Sequence, residues 1–579
     1  MKKKRSAKGV ITVLVSLMLV GILSVTTLVL EGGRFQAAKT QLSAANISAS
    51  TSVIAGFNSD LYGKYGLLGF DMDDVKLDRV QDYVSYNSDM VAGSNDNKLG
   101  KLYTVTSVEV QGLYNLTYPD VLKRQLLTRA KYHVVPQEHA LNVYTVDGFF
   151  ADFQHKCTKV ADALTTAANG SAQDGSLADV PPEMLSALTA LNATYLEAKT
   201  SDSQCDVTLD SGSVSILPSR TGTVPGDASA SDIEKINSSL NDAYSVLGGS
   251  ASGLSYQNGS HTNEIDVSVS VSCVPQIKTK LMDVTTATAV PQDTRELAGQ
   301  IRKMAQSMNS AVNMLHTSKE STLLLNAYIS EYFSNRNKTI KTYSAPSKGT
   351  TINGNLPNAT FASACTEYVF GGSASEKTNQ DTAYQYLMAV RLINNLYAVI
   401  TDSASFNPNN CYSVAAHIAW AYYESEADLQ LLTQLNVSVP FNKNNTILPV
   451  NNPGAVAAAY AGTDPLAAMK QLGFYNESNS TFAVPGAYSF SYQDSLMLGL
   501  WFVPNSQKLL RVADLIQLEM RYHQRYVDNE TADFLMSKCN TYCKVQSTAS
   551  FRSVLPVLSL GTGKTVNGME FRTIKFSGY

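Results

Sequence analysis

The feature that most constrains this chain is residues 10–30, twenty-one consecutive positions without a charge, set directly behind a basic leader. At about 1.5 Å of rise per residue, such a helix spans roughly the 30 Å hydrocarbon core of a bilayer. Lys2, Lys3, Lys4, Arg5 and Lys8 precede the run and no acid does, whereas Glu31, Arg34 and Lys39 follow it and nearly balance. This excess of Lys and Arg predicts a cytoplasmic N-terminus and an exported remainder. The competing reading is a cleaved secretory signal, whose apolar region runs about 7–15 residues and ends in a small-x-small site. The run here is longer, and Thr-Leu-Val-Leu-Glu-Gly-Gly is a poor site. The expectation is therefore an uncleaved, single-pass plasma-membrane anchor with the C-terminal region extracytoplasmic. Thr12, Ser16, Ser24, Thr26 and Thr27 fit the span, because their hydroxyls can bond back to helix carbonyls.

Beyond Gly32 and Gly33, apolar and small residues recur at Phe35, Ala38, Leu42, Ala45, Ile54, Phe57 and Leu61. That 3- and 4-residue spacing is one face of an amphipathic helix, so the span is expected to continue outward as a stalk. A plain juxtamembrane linker is the alternative, and the glycine pair favours it.

The segment KGVITVLVSLMLVGILSVTTLVLEGGRFQAAK resembles the N-terminus of TadE/TadG-like, pseudopilin-like membrane proteins encoded with tight-adherence (Tad) pilus systems in Firmicutes. The features that carry the resemblance are Gly9 before the apolar helix, Glu31 and Arg34 after it, and DLYGKYGLLGFD at 60–71. EYVFGG (367–372), VRLINNLYAV (390–399), AWAYYESEADLQLL (419–432) and RVADLIQLEMR (511–521) are similar to the large extracellular domain of clostridial members. The resemblance implies a membrane-anchored protein whose partners are pilus or secretion-system proteins and the cell envelope. It also implies a candidate processing site between Gly9 and Val10. Prepilins cut there usually carry Glu five residues on, where this chain has Leu14. The resemblance therefore implies an accessory component rather than a major pilin.

The rest of the chain is long enough for several domains. Of its 579 residues, 44% are hydrophobic and 16% charged, enough for folded cores and contrary to global disorder. Without the leader cations, 40 Lys+Arg stand against 49 Asp+Glu, a net charge of −9 that argues against nucleic-acid binding. The predicted fold class is α+β, mainly helical, with antiparallel strands at about 102–118 and 542–579. The predicted divisions are a leader at 1–9, the span at 10–30, a stalk helix at 31–62 and a membrane-proximal α+β subdomain at 63–140. A helical region follows at 141–344, with a Ser/Gly-rich insertion at about 201–262, and then a C-terminal α+β domain at 345–579. Alternation from Val105 to Val110 marks the first strand, with Gly112 as a turn or bulge. Pro119 opens a helix that stops before Pro136. Long helices are expected at 293–335, 379–402, 411–435 and 504–536.

No chemistry stands out. Asp71, Asp73, Asp74 and Asp78 suggest a calcium loop, but Val75, Lys76 and Asp82 occupy the positions where an EF-hand needs an oxygen ligand, Gly and Glu. A solvated acidic turn is the better reading. GTGKT (561–565) lacks the phosphate loop's leading glycine, since position 558 is Leu, and reads as a hairpin turn. The seven histidines never fall at ligand spacing, and no GxSxG elbow occurs. Glu424 and Asp428 share a helix face at four-residue spacing, which could serve acid/base work but reads as a solvated helix face. Seven cysteines, Cys157, Cys205, Cys273, Cys365, Cys411, Cys539 and Cys543, lack a zinc pattern and read as buried thiols, with disulfides the alternative. The expected function is that of a non-enzymatic structural or interaction protein with no cofactor, no metal and no catalytic residue. An adhesin or ligand-binding ectodomain is the alternative, and a cell-wall-acting enzyme comes after it.

Overall fold

A computed structural model describes residues 8–90, 102–116, 119–134, 143–172, 213–215, 264–266, 290–313, 319–338, 364–372, 376–402, 406–443, 475–476, 481–482, 489–503, 505–521, 539–552 and 569–579, together with 467 and 470. The fold is mostly helical with antiparallel strands, an α+β protein whose N-terminus is one long apolar helix. It divides into two compact units, Met1–Leu122 with Leu535–Tyr579, and Lys123–Phe534. The division expected at 345 is thus drawn elsewhere, because the tail pairs with the N-terminal elements.

In the first unit, helix α1 runs unbroken over Lys8–Ala55. Gly32 and Gly33 do not interrupt it, although each costs roughly 1 kcal/mol of helix propensity relative to Ala. The stalk helix is shorter than expected. It ends at Ala55, and Leu61 lies in a separate helix, α2, Ser59–Tyr65. Asn58 caps α2 by accepting from the Asp60 and Leu61 amides at 3.1 and 3.0 Å, a side-chain bond that competes with continuing α1. Strand β1 is Phe70–Asp71, helix α3 is Leu77–Met90 and strand β2 is Tyr103–Asn115.

The sheet is centred on β9, Cys539–Phe551, which pairs antiparallel with β2 along one edge and with β10, Glu570–Gly578, along the other. Two residues of β1 pair with the start of β9. The register shift in β2 falls between Val105 and Ser107 rather than at Gly112. Gly112 instead admits the Asn540 side chain, whose Cγ would lie 2.5 Å from an added Cβ. Alternate β9 residues (Cys543, Val545, Ala549 and Phe551 among them) turn to the same buried face. Against that face lie Ala38, Leu42, Ala45, Ala49 and Val53 of α1. Phe35 meets the rings of Phe551 and Phe571 edge-on, each at 5.4 Å. Each fully buried Leu, Val or Phe contributes about 1.5–3 kcal/mol.

The second unit is helical. Helix α4, Pro119–Arg129, leads into it through a π-turn at Ala130–Val134, and is followed by α5, Val143–Ala163, and α6, Thr165–Ala168. The stretch expected as one helix at 293–335 is α7, Val290–Asn313, and α8, Lys319–Tyr332. Then come α9, Cys365–Gly371, α10, Glu376–Asp402, and α11, Cys411–Thr433. The last helices described are α12, Tyr492–Gly499, and α13, Asn505–Arg521. Almost every residue of α11 is buried, its apolar side chains together with polar ones such as His417, Glu424 and Asp428. Strand β5, Val439–Pro440, pairs with β8, Ser489–Phe490. Four further strands are short: β3 and β4 pair at 213–215 and 264–266, and β6 pairs with β7 at 475–476 and 481–482. Most of the expected insertion at 201–262, Cys205, Cys273 and the turn at 561–565 lie outside the described residues.

Candidate functional site

Two places stand out, one in each unit. The first is the N-terminal half of α1. From Ile11 to Leu30 the apolar side chains are exposed, and this stretch is long and apolar enough to cross a membrane. Its polar side chains are satisfied internally. Ser16 donates to the Thr12 carbonyl at 2.7 Å, Ser24 to Val20 at 2.7 Å and Thr26 to Ile22 at 2.9 Å. The surface presented outward is therefore mainly hydrocarbon, Leu14 included, with the few exposed hydroxyls turned onto the helix's own carbonyls. Gly9 and Val10 lie in the first turn of α1. Glu31 is buried, whereas the apolar side chains from Ile11 to Leu30 are exposed, and it accepts from Arg34 Nη1 at 3.1 Å across one turn.

The same helix is keyed to the tail by polar contacts at one-turn intervals. Asn46, fully buried, donates to the Thr573 carbonyl and Oγ1 at 3.2 and 2.9 Å and accepts from Ser547 Oγ at 2.6 Å. Ser50 Oγ lies 2.6 Å from Ser577 Oγ, and the Tyr579 hydroxyl donates to the Ile54 carbonyl. These bonds fix how α1 sits on the sheet, since an offset along the helix would bury them unmade.

The second place is a charged cluster inside the helical unit. It corrects the reading of Glu424 and Asp428 as a solvated face, since both are fully buried. Asp428 Oδ2 accepts from Arg391 Nε at 2.9 Å, from Arg391 Nη2, and from Asn395 Nδ2 at 3.0 Å. Lys443 Nζ stands 2.7 Å from Asp428 Oδ1 and 3.0 Å from Glu424 Oε2. Arg391 also donates to the Pro440 carbonyl at 2.9 Å, which ties the cluster to β5. Two carboxylates thus meet two cations, and the charges cancel. Burial pushes the Asp428 carboxyl upward, but Arg391 and Lys443 together outweigh it and hold it below the usual carboxylate range. The charge-neutral network joins α10, α11 and β5.

A further buried carboxyl, Glu367, accepts from the Arg336 amide and the Tyr492 hydroxyl, each at 2.9 Å. Burial raises it to about 7 despite these donors. Arg511 donates to the Val369 and Phe370 carbonyls, both at 2.8 Å, and Tyr368 donates to Asp514 at 3.1 Å. The segments at 367–372 and 511–521 are therefore joined to each other, and those at 390–399 and 419–432 likewise.

Among the described residues, Cys157, Cys365, Cys411, Cys539 and Cys543 are buried and form no disulfide with one another. Cys539 and Cys543 share one face of β9. Burial pushes Cys539 up to about 12 and Cys543 up to about 11, so both stay protonated and unreactive. His417 is held neutral, lowered to about 4 by burial, with Nδ1 2.7 Å from the Ser413 carbonyl. In the acidic turn, Asp71 caps its own loop by accepting from the Asp73 amide at 2.9 Å, and Asp73 and Asp74 face solvent. No group of three or more His, Cys, Asp or Glu is arranged to hold a metal among the described residues.

Residues 268–551, slightly under half of the chain, match a family of unknown function, DUF5702. The matched stretch contains the Arg391–Asp428–Lys443 cluster, Glu367 and the central strand β9. No curated protein and no solved structure matches the chain.

Proposed function

We propose that this chain is a membrane-anchored, extracytoplasmic structural and interaction protein, an accessory, pseudopilin-like component of a Tad-type pilus or secretion system. The observation that carries the reading is the division of α1. One unbroken helix exposes an uncharged apolar half over 11–30 and buries one face of its other half against a β-sheet. Exposed hydrocarbon of this extent needs a bilayer or apolar partner helices. The basic leader favours an N-terminus in the cytoplasm and both units outside the plasma membrane. At the outer end of the span, Arg34 neutralises Glu31, so the helix can leave the bilayer without a naked charge. The role is anchoring plus protein–protein contact.

N-terminal sequencing of the protein from membranes tests the anchor. A start at Met1 means an intact anchor, and a start at Val10 means prepilin-type processing with the span kept. A start near Gly32 would remove the span and sink the proposal. Protease shaving of intact cells tests orientation, with cleavage expected only beyond the span. Cross-linking in membranes followed by pull-down tests the pilus role, and recovery of no pilus or secretion component would count against it.

A further inference from the structure

We propose that Lys156 and Asn394 become joined by a self-catalysed isopeptide bond, Nζ to Cγ, with Asp152 as the base. Lys156 on α5 is only 4% exposed, as is Asn394 on α10. The Lys156 Nζ lies 2.9 Å from Asn394 Oδ1 and 2.8 Å from Asp152 Oδ2, one helical turn away on α5. The carboxamide is used on one side only. Its Nδ2 is buried and has no hydrogen-bond partner among the described residues. A buried donor left in that state costs about 1–3 kcal/mol. The Phe441 ring stands 4.6 Å from Nζ and the Tyr397 ring 5.9 Å, so the amine is shielded from water. Asn442 Oδ1 also accepts from Nζ, but Asn442 is exposed to water.

These groups bring a buried amine and a buried acyl carbon together beside a proton carrier, Asp152, whose side chain is 41% exposed. Asp152 takes a proton from the ammonium, and the freed Nζ lone pair attacks Asn394 Cγ. The tetrahedral intermediate collapses by breaking the Cγ–Nδ2 bond, and the proton held by Asp152 goes to the departing nitrogen. The nitrogen leaves as ammonia and takes up the second surplus proton as ammonium. An alkylammonium and a carboxamide thus yield an amide and an ammonium ion, with no oxidant or co-reactant. Burial pushes the Lys156 ammonium below its ordinary value, an effect that the Asp152 hydrogen bond and charge offset in part. The product removes both a buried cation and the unpaired amide group, and it ties α5 covalently to α10.

The test is peptide mapping of the purified full-length chain, digested in denaturant and read by mass spectrometry. The expected result is a branched peptide joining Lys156 to Asn394, one ammonia lighter than its two parents. Linear peptides alone, with Lys156 and Asn394 both unmodified, would overturn the proposal, and so would a branch to Asn442. In Asp152→Asn the branched peptide is expected to vanish and the linear pair to return. Its persistence would overturn the role given to Asp152. Because the bond forms only in the folded chain, Asp152→Asn is compared with wild type by circular dichroism, and loss of the branch in a variant with the wild-type spectrum supports the role of Asp152, as persistence overturns it.

Discussion

Asp428 shows how far a single residue's meaning depends on what surrounds it. Its pairing with Glu424 on one helix face is legible in the sequence, but its burial is not. The charges that keep it ionised come from Arg391, thirty-seven positions earlier, and from Lys443, fifteen positions later. Asp428→Ala leaves Arg391 and Lys443 buried with too few counter-charges and is expected to cost about 3–5 kcal/mol, read by chemical denaturation. Its folded value is depressed. Its stabilisation is therefore present above the ordinary carboxylate range and is lost as pH falls through the folded value. Glu367 behaves in the opposite sense. Its folded value is raised to about 7, so the folded state holds the proton more tightly than the unfolded chain does. Stability then falls as pH rises from the ordinary glutamate value to about 7, by about 3 kcal/mol in all. Glu367→Gln keeps an acceptor for Arg336 and Tyr492 and is expected to flatten that limb. An unchanged pH slope would show that Glu367 does not titrate in that range.

At the scale of elements, α1 is where sequence reading reaches furthest. Spacing at 3 and 4 residues identifies its buried face, and the run without charges identifies its exposed half. The end of the helix escapes such reading, because Phe57 and Leu61 continue the apolar period after the helix has stopped. A cap at Asn58, not hydrophobic period, decides the boundary. Gly32 and Gly33 are helical, and an added Cβ at either meets nothing within 4 Å. Gly32→Ala and Gly33→Ala are therefore each expected to stabilise α1 by about 1 kcal/mol. The readout is slower amide exchange around residues 28–37 in detergent, and unchanged exchange would mean the pair is not held as helix. Strand β9 was legible only from Tyr542 onward. Cys539 and Cys543, four apart, fit a helix and a strand face equally well until their partners are known.

For the whole molecule, the decisive arrangement is a sheet assembled from both ends of the chain around α1. Asn46, Ser50 and Ile54 meet Thr573, Ser577 and Tyr579 across more than five hundred residues of sequence. Removing 569–579 should uncover Phe35 and cost the first unit at least the ~3–5 kcal/mol that loss of one core Phe costs. Limited proteolysis would then cut within 31–55, where the intact chain resists, and equal resistance would refute the keying of α1 to the tail. The sequence by itself determined the apolar span, the helical continuation beyond it, the α+β class and the lack of a recognisable catalytic motif. Each of these follows from periodicity, charge or short spacing, which act between near neighbours. Only the tertiary structure decided that the tail closes on α1 and that Glu424 and Asp428 are buried with Arg391 and Lys443. Those outcomes depend on which distant segments meet, and local pattern carries no information about the partner.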